Sequence, residues 1–383
     1  MVRGFLDAAS GQPLHPFALR AAAGFAARVW ADPSMPHHEG RAARQVLDAA
    51  RATVAEVIGI EPGAVSFQRA GRSVAELAIR GLAQGPTDTG LLPPTRIHTS
   101  AVDRSVVLDA SREVAGSAGV SIVGVDPTGK INTDAFEASL LSSPPDERRL
   151  AAIQAANIEL GTLQPLARLL HIAADQGVPV AVDGTGALGW IDIEKGWSAL
   201  FADATSFAGP RGAAVLALAP TARWRLPGSD GVESQPPRSD DVASAVTTAT
   251  ALDAVHRDRF RESARLSELI ERIRARVVET IPDVELLGDA QDRLPNTVTF
   301  SCLYADGERL ALELDRLGFA VGSGSACASR TGLPSHVLTA IGSLTHGNVR
   351  VSLPVGCPAE AIDRFLAALP GAVALVRSEA GAP

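Results

Sequence analysis

The sequence predicts an α/β fold: a large domain built on a mostly parallel sheet covered by helices on both faces, followed by a smaller α+β domain. Three observations carry this expectation. Short apolar segments alternate with helical patterns as far as about Leu226. A stretch rich in Pro, Gly, Ser and Asp, PGSDGVESQPPRSDD at 227–241, then interrupts the chain and reads as a loop. Beyond it come a long amphipathic helix and a mixed strand and helix tail. The expected division is therefore 1–250, including the N-terminal segment and the linker, and 251–383.

The strands of the first part are expected at Arg96–Ser100, Val120–Val125, Leu150–Ala155, Val178–Asp183, Ala204–Phe207 and Ala213–Ala217, as short apolar runs bounded by turn residues. Helical spacing fills the stretches between most of them, as in Arg41–Ile58 and Leu166–Gln176. Strands separated by helices argue for parallel pairing, because a parallel connection must cross over a face of the sheet. After the linker, Phe260, Ala264, Leu269, Ile273, Val277 and Ile281 mark the apolar stripe of the long helix, with charges between them. The tail then reads strand Asn296–Leu303, helix Gly307–Leu317, a glycine-serine loop, a helix, strand Asn348–Leu353 and a last helix from Pro358.

Composition excludes several classes. The formal net charge of -8 gives no basic footprint for nucleic acid or anionic membrane. No run of eighteen apolar residues and no charged-then-apolar leader is present, so a soluble, untargeted, cytoplasmic protein is expected. Cys302, Cys327 and Cys357 form neither a disulfide framework nor a CxxC metal pair, which fits a reduced compartment. His37 and His38 have no further ligands nearby, so no metal is expected. Of 35 basic residues only two are lysines, Lys130 and Lys195.

Several segments, in order, resemble the class V aminotransferase family and more narrowly its cysteine desulfurase branch. They are FLDAASGQPLHP from Phe5, DPSMPHHEGRAARQVLDAARATVAEVIGI from Asp32, AANIELGTLQP, VAVDGTGALG, ADATSF followed by GPRG, LPNTVTFS, FAVGSGSACAS and NVRVSL. The resemblance implies a fold-type I pyridoxal phosphate (PLP) transferase architecture, a homodimer, and a small amino acid as ligand. It also implies sulfur transfer to a protein partner.

The residues of the family's site are only partly kept. Asp183 ends an apolar strand, where open sheets bind ligands, and matches the aspartate that pairs with the cofactor's pyridinium nitrogen; capping the next segment is its plain role. The family's Gln three residues later is Gly186. The family's Schiff-base lysine falls in a loop that is missing here, since Phe207 and Ala208 run directly into Gly209, Pro210, Arg211 and Gly212. Arginine cannot replace that amine, because it stays protonated and is a poor nucleophile. The phosphate loop aligns with Arg69–Glu76, where Arg72 offers a bidentate contact to an anion or an ion pair that fills the space. Arg104 stands where the family stacks a histidine on the ring. The neighbouring subunit's Gly-Thr has no match in QPPRSDDVAS.

Three matches remain on the substrate side. Cys327, in a small-residue loop, matches the cysteine that takes sulfur as a persulfide, against a plain role as a small buried hydrophobe. Arg350 matches the arginine that binds the substrate carboxylate, against a role as an exposed strand residue. Asn157 matches a cofactor-neighbouring asparagine, against a turn or cap. The expectation is a cysteine desulfurase-like protein without the usual PLP catalysis, acting as scaffold, subunit or Cys327 persulfide carrier. PLP is expected by resemblance only, not covalently bound and with no cofactor at all as an open case. The alternative is an active desulfurase or aminotransferase-like enzyme holding pyridoxal or pyridoxamine phosphate non-covalently.

Overall fold

A computed structural model describes residues 3–25, 29–86, 93–225, 241–323 and 335–381. Cys327 and most of the linker, 227–240, lie outside the described residues. The chain opens with β1 (Gly4–Phe5), α1 (Pro16–Phe25) and α2 (His38–Ile58). It continues through β2 (Val65–Arg69), α3 (Arg72–Ala83), β3 (Thr95–Ser100), α4 (Ser105–Ala115), β4 (Val120–Val123), α5 (Thr133–Leu141) and β5 (Arg148–Gln154). Next come α6 (Leu166–Asp175), β6 (Val180–Asp183), β7 (Ala199–Asp203) and β8 (Ala213–Leu218).

Seven of these strands form one sheet in the order β2-β8-β7-β6-β5-β3-β4. Pairs from β7 through β4 are parallel, and β8 runs antiparallel to both β7 and β2. The strands are short and apolar throughout because both faces are covered. Alternation along β7 shows the division: Ala199 and Phe201 join one core with Val74, Ile79 and Leu82 of α3, while Leu200 and Ala202 join the other with Leu169 of α6.

The second half contains α7 (Val242–Thr280), β9 (Val284–Leu287), β10 (Thr297–Cys302), α8 (Gly307–Arg316), β11 (Phe319–Ala320), α9 (His336–Ala340), β12 (Asn348–Ser352) and α10 (Ala359–Glu379). β12, β10 and β9 make a three-stranded antiparallel sheet, and β1 pairs in parallel with β11. The N-terminal strand thus belongs structurally with the C-terminal half. Asp241 caps the N-terminus of α7, its Oδ1 accepting the Ser244 N–H at 2.9 Å. The expected boundary at residue 250 falls inside this unbroken helix, which spans about 58 Å and packs against α1, α2 and α10.

Two local expectations are corrected. Ala204–Phe207 is a 3-10 turn and not a strand; the strand is the segment before it, β7, whose register with β6 and β8 uses the apolar run to Asp203. In α7, Leu269, Ile273 and Val277 are buried as expected, but Phe260 is 74% exposed and Ala264 is also exposed. The buried stripe runs through Val255, Leu266, Leu269, Ile270 and Ile273, so the helical period holds while the stretch from Phe260 to Ala264, at the middle of the helix, lies off the buried face. Strand β2 was not anticipated, since Ser66, Gln68 and Arg69 dilute its apolar signal. Among the described residues no helix is long and apolar enough to cross a membrane.

The contact of α3 with the segment after β8 fixes one edge of the sheet. Trp224 is 1% exposed, and a Cβ added to Gly81 would meet its Nε1 at 1.8 Å. Gly81→Ala should therefore destabilise the fold by roughly 1–3 kcal/mol through overpacking, despite alanine's better helix propensity. Urea unfolding checks this; an unchanged or raised midpoint would show that Trp224 moves aside freely.

Candidate functional site

Ser100, Gln154, Asp183 and Asp203 are the last residues of β3, β5, β6 and β7. Because these strands are parallel, their ends lie along one edge, the edge where open α/β sheets place ligands. A cavity of about 480 Å³ opens there. Arg104, Asn157, Glu159, Asp203, His336 and Arg350 are among its lining residues, with Ala8, Val102, Ile158, Leu294 and Val337 supplying apolar wall.

Arg104 dominates the electrostatics of this edge. It precedes α4, and its Nε donates to Asp183 Oδ2 at 2.6 Å while its Nη1 donates to Asp203 Oδ2 at 2.9 Å. The other oxygens of both carboxylates are also used: Asp183 Oδ1 accepts the Thr185 N–H at 2.9 Å, and Asp203 Oδ1 accepts the Gly71 N–H at 2.7 Å. Burial works against the charged guanidinium, but the two carboxylates outweigh it and hold the Arg104 pKa above its ordinary value. Arg104 Nη2 is buried without a hydrogen-bond partner among the described residues.

A second pair closes the opposite wall. Arg350 is buried, not the exposed strand residue of the plain reading, and donates from Nη2 to Asp7 Oδ1 at 2.8 Å. Its backbone pairs with Gly322 in both directions, at 2.8 and 2.9 Å. A Cβ at residue 322 would lie 2.9 Å from Arg350 Nη2, which is why glycine stands there. Glu159 lies beside this arginine. Its Oε1 accepts the Ser335 hydroxyl at 2.6 Å, and burial lifts its pKa against the lowering pull of Ser335, Arg350 and His336.

The remaining expected residues fall as follows. Asn157 lines the cavity, but Oδ1 accepts the N–H groups of Glu159 and Leu160, and Nδ2 donates to Val102 O. Its amide holds the loop, which is the turn role. Arg72 does not line the cavity; it pairs with Glu113 at 3.1 Å, with both side chains about half exposed. As the first residue of α3 it makes an ion pair, the second of its two expected roles and not the phosphate contact, but with a surface partner and outside the cavity. Arg211 lies on the cavity rim, with Nη2 donating to Ser10 O at 3.2 Å. Cys327 lies outside the described residues. Sequence reasoning did not single out Asp7, Asp103, Glu159, Asp203 or His336, although Asp203 ends a strand just as Asp183 does.

An imine-held PLP does not fit these residues. Both lysines are engaged elsewhere: Lys130 Nζ with Asp289 and Asp292, and Lys195 Nζ with the carbonyls of Ile58 and Gly59 at the end of α2. The turn from β7 to β8 is short. Ala208 takes φ 58°, and Gly209 N–H closes back on Ala204 O at 2.8 Å. The carboxylate that would face a pyridinium nitrogen already receives Arg104.

Asp103 adds a third carboxyl behind the pair. It is fully buried, accepting the N–H groups of Ser100 at 2.6 Å and Gln154 at 2.9 Å. Burial pushes its pKa up to about 7, opposed by those two N–H groups and Arg104 and reinforced by Asp183. A carboxyl with a raised folded pKa stabilises fully below its unfolded value near 3.8, and that contribution is lost as pH rises towards 7. Asp103→Asn removes the titration, so its melting temperature should gain on the parent's between about pH 4 and 7. A difference that stays constant across this range would overturn this reading of Asp103.

Comparison with known proteins agrees with the architecture. The family model described as aminotransferase class-V matches residues 4–365. An IscS-like cysteine desulfurase of Mycobacterium tuberculosis is 33% identical, with 98% of each chain covered. A cysteine desulfurase of Cereibacter sphaeroides is 32% identical over 99% of this chain and 97% of its own. Among solved structures, a NifS-like protein superposes with a TM-score of 0.86 at 21% identity, covering 98% of this chain and all of the other. The cysteine desulfurase of Thermococcus onnurineus, solved in its apo form, gives 0.81 at 18% identity, with 97% and 95% covered. This chain belongs to the class V aminotransferase family, in its cysteine desulfurase branch.

Proposed function

We propose that this cysteine desulfurase-like protein has left the imine chemistry of its family and serves sulfur transfer as a subunit, scaffold or persulfide carrier, with Cys327 as the carrier thiol. The single observation behind this reading is the engagement of Asp183 by Arg104, which lines a cavity with no lysine among its described lining residues. PLP catalysis begins from an imine on a protein amine, and neither lysine of this chain is free near the cavity.

Two further observations support Cys327. The other thiols are closed: Cys302 and Cys357 are buried, and burial pushes both pKa values up to about 11. The described flanks of the cysteine segment are both tied to the cavity wall, Gly322 through the backbone of Arg350 and Ser335 through Glu159. As a carrier, the Cys327 thiolate attacks the outer sulfur of a donor persulfide. The donor's S–S bond breaks, its thiolate leaves, and the sulfur now sits on Cys327 with no net oxidation or reduction. A reduced, cytoplasmic setting and a homodimer, the family's usual assembly, complete the proposal.

After incubation with PLP and exhaustive dialysis, the protein should keep no chromophore. Retention of one per chain would overturn the loss of cofactor and favour non-covalent binding. Incubation with a donor desulfurase and cysteine should load the parent with sulfane sulfur and leave Cys327→Ala unloaded, as read by mass spectrometry. Equal loading of the variant would remove the carrier role.

A further inference from the structure

The two carboxylates at the ends of β6 and β7 need a positive charge between them. Asp183 is 1% exposed and Asp203 13%, and two buried carboxylates without a counter-ion are strongly destabilising. One group meets both: Arg104 donates through Nε to one and through Nη1 to the other, two donors held at the fixed spacing of a planar guanidinium. The backbone N–H groups of Gly71 and Thr185 hold the far oxygens and fix the two acceptors in place.

We infer that Asp183 and Asp203 form an acidic slot for a planar cation, that Arg104 is its resident occupant, and that truncating Arg104 opens the slot to free cations of the guanidinium class. Arg104 is thus the positioning residue that bars a pyridinium ring from Asp183. The inference rests on the proposed loss of imine chemistry but has its own readout: chromophore retention by the parent would sink that proposal, while the slot stands or falls on rescue of the variant.

The test is thermal melting of the full chain and of Arg104→Ala, with and without methylguanidinium at about 10 mM, a concentration chosen for a weak site that stabilises by mass action. The variant should melt about 5 °C or more below the parent, since one partner of a buried ion pair is gone. Methylguanidinium should recover at least half of that loss. Tetramethylammonium, which has the same charge but is neither planar nor a hydrogen-bond donor, should recover none, and the parent should not respond to either.

If Arg104→Ala is insoluble alone, it is expressed and purified with methylguanidinium present throughout, and the same measurement is made by exchange. Removing methylguanidinium should lower its melting temperature, and adding it back should restore it while tetramethylammonium does not. A variant that melts with the parent, a loss that methylguanidinium does not recover, equal recovery by tetramethylammonium, or an equal shift in the parent would each overturn the slot.

Discussion

The bridge from Arg104 to Asp183 and Asp203 is the constraint on which the functional edge of this protein depends. It joins the ends of two neighbouring parallel strands to the start of α4, across 79 and 99 residues of sequence. In a low-dielectric setting such a bridge is worth having only when every participating oxygen is satisfied. Here Thr185 and Gly71 supply the remaining donors. The carboxylate at the end of β6 thus has a partner within the protein, Arg104.

The opposite wall works in a similar way. Arg350 is held by Asp7 and by backbone pairing with Gly322, and Glu159 lies between it and Ser335. These contacts tie the N-terminal segment, β12 and the start of α9 to one cavity. Arg104 and Arg350 each retain one buried nitrogen, Nη2 and Nε respectively, without a hydrogen-bond partner among the described residues. The site is thus built from long-range ion pairs on an apolar scaffold, a division of labour between walls and charges common in ligand cavities.

Much of the fold was legible because its signals are local. Apolar runs gave β3, β5, β6 and β8, and helical spacing gave α2, α6 and the tail helices to within a few residues. Where the reading failed, tertiary context had overridden the pattern: β2 carries Gln and Arg in a strand, the segment at 204–207 turns instead of extending, and the middle of α7 exposes Phe260. Resemblance pointed to Asp183, Arg104 and Arg350, and the structure sets Arg104 against Asp183 and lines one cavity with Arg104 and Arg350. That Arg104 would bind Asp183 was not visible, because no periodicity or motif encodes a contact between residues so far apart. Arg72 shows the converse: a charged residue in the right motif turned to the surface because Glu113 was in reach.

The pairing of β1 with β11, and of Asp7 with Arg350, has a consequence for synthesis. The cavity's wall joins residues 343 positions apart, so a chain leaving the ribosome can form much of the seven-stranded sheet well before it can close this wall. Contacts of such separation are late to form because they must overcome the closure entropy of nearly the whole chain. The cavity is therefore a feature of the finished polypeptide, and a nascent or C-terminally shortened chain lacks it even where its central sheet is complete.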